Sequence, residues 1–328
     1  MDKRTFPRLS RTVGVIGLGA WQLGADWGTV SEDDALATLA AAVEAGTTFL
    51  DTADVYGDGR SERIIGRFLR ESSAGGELFV ATKMGRRVPQ EPSAYVLDNF
   101  RAWTDRSRAN LGVDTLDLVQ LHCPPTEVLH TDAVYDALDT LVAEKRIAAY
   151  GVSVETVAEA LAAIARPGVA SVQIILNALR LKPLEQVLPA ASAAGVGIIA
   201  RVPLASGLLS GRYDEQTSFA ADDHRNYNRE GAAFDVGETF SGVDFTTGLA
   251  AVRRLVPLVP APATMAQFAL RWILDQPGVT VAIPGARNPQ QARDNAAAGS
   301  LPPIDEATQR SVVEIYDELI RPQVHHRW

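Results

Sequence analysis

The chain has 328 residues, 46% of them hydrophobic, with a formal net charge of −9, which fits a well-cored globular protein. The acidic balance and the lack of any basic run count against nucleic-acid binding, and no apolar stretch approaches the ~18 residues of a membrane span. Cys123 is the only cysteine, which excludes an internal disulfide and a thiolate metal cluster. The N-terminal segment MDKRTFPRLSR lacks the apolar core of a signal peptide, so a reduced, soluble, cytoplasmic protein is expected.

In chain order, Val13–Ala20 (VGVIGLGA) reads as a buried strand. Gly17 and Gly19 supply two glycines of a dinucleotide fingerprint, but the third should fall at Gln22, and that motif is rejected. Ser31 caps a helix whose stripe is Leu36, Leu39, Ala40 and Val43, ended by Gly46. Thr48–Leu50 is the second strand, with Ile64, Ile65, Phe68 and Leu69 marking its helix. Leu78–Thr82 is the third, followed after Ser93 by a helix carrying Val96, Phe100, Trp103 and Leu111. Further strands are expected at Leu116–Leu121, Ala148–Val152, Val172–Leu176, Val196–Ala200 and Val279–Ile283, each with an amphipathic helix near it. A long Gly-, Asp-, Asn- and Ser-rich connection runs from Pro203 to about Asp244.

This alternation predicts one α/β domain over residues 1–328, a (β/α)8 TIM barrel. Added to it are a short N-terminal extension, the long loop after strand seven, and an extra C-terminal helix and tail. Active sites of such barrels lie at the C-terminal ends of the strands. Those positions hold Asp51, Lys83, His122, Ser153, Asn177 and Arg201, with Tyr56 one short loop beyond Asp51. Each residue alone has an ordinary structural use as a turn, a cap or a solvated charge. Asp51, Tyr56, Lys83 and His122 together bring four complementary ionisable groups to one mouth. They suit proton transfer to a carbonyl oxygen: a phenol is a weak donor unless a nearby ammonium stabilises its anion, and an aspartate keeps that ammonium charged. A histidine opposite can position the oxygen. No metal is expected, because only one histidine joins the cluster.

The segments FLDTADVYGDGRSERIIG, ATKMG, LVQLHCP, GVSV, NALRLKPLE, VPLASGLLSGRY and IPGARNPQQARDN, in this order, resemble the aldo-keto reductase superfamily over nearly the whole chain. The resemblance implies an NADPH-dependent barrel oxidoreductase with a catalytic tetrad of Asp51, Tyr56, Lys83 and His122, Tyr56 being the proton donor. It implies that Gly19, Ala20, Trp21 and Asp51 bind the cofactor, that Ser153 and Gln173 hold the nicotinamide carboxamide, and that Arg201 stands beside the nicotinamide ring. Leu204, Ser206, Gly207 and Leu209 would hold the pyrophosphate, and Pro284, Gly285, Arg287, Gln291 and Asn295 the adenosine end, with Arg287 near a 2′-phosphate. Substrate would meet Trp21, Tyr56, Met84 and His122, with Trp27 and the 203–244 loop as walls and Trp328 able to fold over the site.

Two departures from the family pattern stand out. Val154 replaces a common asparagine, and Arg201 stands where many members stack a tyrosine, so its charge is expected to favour NADPH over NADP+. The expected partner is a small-molecule carbonyl (aldehyde, ketone or keto-sugar), with no nucleic acid and no membrane; the oligomeric state is left open. A cofactor-binding regulatory subunit and an oxidative sugar or alcohol dehydrogenase are the alternatives.

Overall fold

The computed structural model describes residues 1–24 and 30–328; Trp27 lies outside the described residues. Among these, eight parallel strands form one sheet in sequence order. They are β1 (Leu18–Gly19), β2 (Phe49–Asp51), β3 (Phe79–Met84), β4 (Leu118–His122), β5 (Tyr150–Ser153), β6 (Val169–Ile175), β7 (Gly197–Arg201) and β8 (Val279–Ala282). The sheet closes on itself. Gly17 N donates to Ala282 O (2.9 Å), Gly19 N to Pro284 O (3.0 Å), and Ala282 N to Val15 O (3.0 Å). Closure satisfies both edges, which is why a sheet of such short strands is stable.

The helices that cover the sheet are α1 (Glu32–Glu44), α2 (Arg60–Glu71), α3 (Leu97–Leu111), α4 (Asp132–Ala143), α5 (Val157–Ile164) and α6 (Pro183–Ala194). After the long loop come α7 (Phe245–Leu255), α8 (Met265–Leu274), α9 (Pro289–Ala297) and α10 (Glu306–Ile315). Local chemistry starts several of them. Ser31 Oγ accepts from Asp34 N at α1, and reciprocal capping boxes open α5 (Thr156 with Glu159) and α8 (Thr264 with Gln267). The stripe expected to begin at Val96 begins later. Pro92–Ala94 form a separate turn and Val96 is extended, so it is 47% exposed while Phe100, Trp103 and Leu111 are buried.

Alternation along each strand decides what enters the barrel. Phe49, Phe79, Ala81, Leu118, Ala149, Ala170, Ile199, Val281 and Ile283 form one apolar cluster with Phe6 and Val13. Phe6 stacks on Phe49 and Phe79 (5.7 and 6.0 Å between ring centres), so an N-terminal hairpin, Lys3–Phe6 with Arg11–Gly14, floors the barrel. The stretch read as one strand, Val13–Ala20, is therefore two: its start belongs to this hairpin and its end is β1. Two residues further along their strands from this apolar layer come Asp51, Lys83, Gln120 and Arg201, with Ser153 paired to both His122 and Gln173. The strands run to the ionisable residues themselves, one or two positions beyond the apolar runs, because these side chains are part of the barrel's upper layers.

The 203–244 loop is tied down at several points. Asn177 Nδ2 donates to Val202 O (2.9 Å) and Ser241 Oγ (2.8 Å), so this residue joins the loop to the barrel. Trp328 packs on the loop and does not line the cavity described below. Its Nε1 donates to Asp235 Oδ1 (3.1 Å), and the Arg180 guanidinium lies 3.4 Å from a ring centre. No helix among the described residues is long and apolar enough to cross a membrane.

Candidate active site

β2 and β3 pair with Asp51 opposite Ala81, which sets Asp51 one register step from Lys83 across the barrel mouth. Lys83 Nζ donates to Asp51 Oδ2 (2.5 Å), to Thr52 O (2.9 Å) and to the Tyr56 hydroxyl (3.4 Å). Tyr56 reaches this point because the chain turns back after β2 through Gly57 and Gly59, at φ 57° and 81°, conformations that a side chain opposes. Its ring stacks on Trp21 (5.9 Å) and meets the edge of His122 (5.9 Å). The four residues expected to act together are thus joined in a chain of contacts, Asp51 to Lys83, Lys83 to Tyr56 and Tyr56 to His122.

Beneath them lies a support in which Gln173, expected only as a cofactor contact, is joined by Gln120, which the sequence reading missed. Gln173 Nε2 donates to Asp51 Oδ1 (2.7 Å), and Gln120 Nε2 approaches the same oxygen (3.4 Å). Gln120 precedes His122 by two residues on β4, so strand alternation alone could have pointed to it. With both carboxylate oxygens engaged, Asp51 is fixed as the counter-ion of Lys83.

Burial and charge set the protonation states. Burial raises the Tyr56 phenol above its ordinary value, while Lys83 pulls it back, so the hydroxyl keeps its proton through neutral pH. Burial works against the Lys83 charge, but Asp51 and Tyr56 more than offset it, and the ammonium is held above its ordinary value. Burial, with the charges of Arg86, Lys83 and Arg201, drives His122 well below the usual imidazole range. His122 is therefore neutral at pH 7, and its Nδ1 is buried without a protein partner.

These side chains open into a cavity of about 580 Å³, within the range of small-molecule and cofactor pockets. Gly19, Trp21, Asp51, Tyr56, His122, Ser153, Gln173 and Arg201 line its inner end. Leu204, Ser206 and Gly207 also line it, and Pro284 and Gly285, paired with Gly19, lead out to Gln291, Asn295 and the exposed Arg287 at its outer end. Four expected residues do not line it. Lys83 is 1% exposed and reaches the site only through Asp51 and Tyr56. Met84 is 1% exposed and packs in the main core, because it alternates with the inward-facing Lys83. Ala20 is fully buried, its N–H spent on Asp51 O and its carbonyl on Ser61 Oγ. Leu209 is also fully buried, and its N–H donates to Leu204 O. Ser206 lines the cavity, but its hydroxyl donates to Glu238 O (3.0 Å) and accepts from Phe240 N (3.1 Å).

Beside the inner end sits a buried ion cluster that sequence reading could not assemble, since its members come from four separate loops or strand ends. Arg201 Nη2 donates to Glu155 Oε2 (2.5 Å) and to Val154 O (3.1 Å), and Arg201 Nη1 is 3.7 Å from Glu238 Oε1. Arg86 Nη2 reaches Glu238 (3.0 Å) and Glu155 (3.5 Å). Although burial opposes its charge, Arg86 and Arg201 hold Glu238 down to about 2, while burial lifts Glu155 to about 7. Cys123 Sγ and these two carboxylates lie within 4.8 Å of one another; the cations that answer them are the guanidinium groups, and burial pushes the thiol up to about 12. Arg201 is thus not the bare positive plate expected from sequence: when Glu155 and Glu238 are both ionised its charge is answered within the cluster, which weakens the electrostatic ground for a preference for NADPH.

The cavity's chemistry fits an anionic dinucleotide. Its outer end carries Arg212 and Arg287, neither with an ion pair among the described residues, and Arg225, which is paired to Asp223. At the inner end His122 Nδ1 and Arg201 Nε are buried and unpartnered.

A closed eight-stranded parallel barrel with ionisable groups at its strand ends and a cation-rimmed cavity defines the class, a (β/α)8 barrel enzyme. The aldo/keto reductase family pattern matches residues 15–317, and the chain belongs to that family. It is similar to aldo-keto reductase YhdN of Bacillus subtilis (strain 168), 30% identical over 281 residues, which are 84% of this chain and 82% of that protein. Aldo-keto reductase yakc [NADP(+)] of Schizosaccharomyces pombe is 27% identical over 313 residues, covering 93% of this chain and 89% of its own. Among solved structures, the glycerol dehydrogenase AKR11B4 of Gluconobacter oxydans superposes with a TM-score of 0.79 at 27% identity, covering 99% of this chain and 96% of its own.

Proposed function

We propose that this enzyme reduces the carbonyl group of a small aldehyde, ketone or keto-sugar to an alcohol with NADPH, Tyr56 donating the proton. The carrying observation is the contact chain Asp51–Lys83–Tyr56 beside a neutral His122, with Asp51, Tyr56 and His122 lining the inner end of one cavity and Lys83 buried behind them. When bound, NADPH supplies the hydride to the carbonyl carbon. Tyr56 gives its proton to the oxygen, and the resulting phenolate is stabilised by the Lys83 ammonium, which Asp51 keeps charged. The phenolate is reprotonated from solvent. His122, being neutral, can donate one hydrogen bond to the substrate oxygen without competing as an acid. Ser153 and Gln173 offer polar groups to the nicotinamide end, and Arg212 and Arg287, without an ion pair among the described residues, offer charge to phosphate groups at the other end.

NADPH consumption against a panel of aldehydes, ketones and keto-sugars tests the reading. Turnover by the wild type that collapses in Tyr56→Phe supports it; NADPH binding with no turnover of any member overturns it. The reverse direction, oxidation of an alcohol, is a second reading favoured by one observation: Arg201 is charge-balanced, so nothing at the inner end repels an oxidised nicotinamide.

A further inference from the structure

Two arginines and two glutamates meet in a space that carries no net charge when both acids are ionised. They come from different places: Arg86 from beyond β3, Glu155 from beyond β5, Arg201 from the end of β7 and Glu238 from the long loop. The side chains are only 8–18% exposed, so solvent screens them weakly. Buried ion pairs of this kind seldom stabilise a fold better than apolar residues of the same size, which directs attention to what the charges do. Arg201 and Glu238 both line the cavity at its inner end, beside His122, Ser153 and Gln173. If the cavity holds NADP(H), the redox-active ring must come to this end, because the proton donor Tyr56 is here and the unmatched arginines are at the other. The two redox forms of that ring differ by one positive charge. A lone guanidinium would discriminate strongly between them, whereas a neutral cluster does not.

We propose that Glu155 and Glu238 are positioning residues that hold Arg201 in place and cancel its charge, thereby setting the ratio of affinities for the oxidised and reduced cofactor. The inference rests on the reading of the cavity as an NADP(H) site. Glu155 is the stronger holder, since its carboxylate takes Arg201 Nη2 at 2.5 Å. Glu238 shares its carboxylate with Arg86, so its loss leaves Arg201 still gripped on one side.

The test is direct titration of NADP+ and of NADPH, followed by fluorescence or calorimetry at about pH 8.5, above the Glu155 value so that both acids are ionised, in wild type, Glu155→Gln, Glu238→Gln and Glu155→Gln/Arg201→Gln. Removing one carboxylate leaves the cluster with a net positive charge, so Kd for NADP+ should rise about tenfold or more relative to Kd for NADPH. The double variant, neutral again, should return the ratio toward wild type, and Glu155→Asp should largely keep it. A merely structural role would weaken both cofactors alike, so parallel changes in the two Kd values, or an unmoved ratio in both single variants, overturn the inference while leaving the reductase reading intact. Failure of the wild type to bind either cofactor overturns both. Should Glu155→Gln not fold, Glu238→Gln carries the same comparison.

Discussion

The two ends of the cavity follow opposite electrostatic rules. At the inner end every charge has a counter-charge: Lys83 has Asp51, and Arg201 and Arg86 have Glu155 and Glu238. At the outer end Arg212 and Arg287 are exposed and have no ion pair among the described residues, while Asp294, also in the lining, is held by Gln290. The difference follows from dielectric environment. A charge inside the barrel is costly unless matched, and matching fixes protonation states for chemistry. An exposed cation costs little and stays available for a phosphate. On the proposed reading, the inner end reacts and the outer end captures the cofactor.

The most damaging way to break the inner end is to remove its proton donor. Tyr56→Phe keeps the Trp21 stack and the ring volume but should lower kcat by about 10²–10⁴-fold, with NADPH affinity little changed. In the wild type, reduction should hold through neutral pH and fall only as pH rises through the elevated Tyr56 value, because the protonated phenol is the active form. No acid-side loss from His122 is expected near pH 6.5, since its value lies well below that. Glu155, lifted to about 7, also titrates at this end, so a limb near 6.5 that persists in Glu155→Gln would contradict the neutral histidine.

Next in size is the ion pair itself. Lys83→Met leaves Asp51 buried without its cation and should cost about 3–5 kcal/mol of stability, measured by denaturant unfolding. Adding Asp51→Asn should recover part of that loss, which a simple packing defect would not allow. The sign with pH is also fixed. The folded-state value of Lys83 is raised above 10.5, so its contribution is intact below 10.5 and is lost as pH rises through the folded value. The variant should lack that alkaline component.

The inner end was legible because strand alternation is a strict rule. Asp51, Lys83, His122 and Arg201 each close an apolar run, and a period of two sends them into the barrel. The same rule applied one step further gives Gln120 and turns Met84 outward, so those two misses were avoidable. Glu155, Glu238 and Arg86 were not avoidable. They lie in loops whose path is set by tertiary ties such as Asn177 to Ser241 and Trp328 to Asp235, and no local pattern encodes which charges will meet. Val13–Ala20 failed differently. The apolar run is continuous, but the hairpin takes its first residues as the barrel floor and leaves only a short β1 for the sheet.

At the outer end a single substitution should act on affinity and spare the chemistry. Arg287→Ala should raise Kd for NADPH about tenfold while leaving kcat at saturating cofactor unchanged and NADH binding nearly so. Raising ionic strength should weaken wild-type NADPH binding more than that of the variant, because the lost contact is exposed and screened. Equal loss for NADH and NADPH would move Arg287 away from a 2′-phosphate.

Where the two ends join, Ser206 separates capture from scaffolding. Its hydroxyl already makes two bonds, donating to Glu238 O and accepting from Phe240 N, both in the loop that delivers Glu238 to the ion cluster. Phe240 and Ser241 adopt left-handed backbone at φ 52° and 59°, so this segment depends on such ties to keep its shape. Ser206→Ala should therefore cost about 1 kcal/mol of stability, with the buried Phe240 N–H left unmatched. Kd for NADPH should move by less than about threefold. A larger rise in Kd without a change in stability would mean that the hydroxyl leaves the loop to hold the cofactor, and the boundary between the two ends would then shift inward past Ser206.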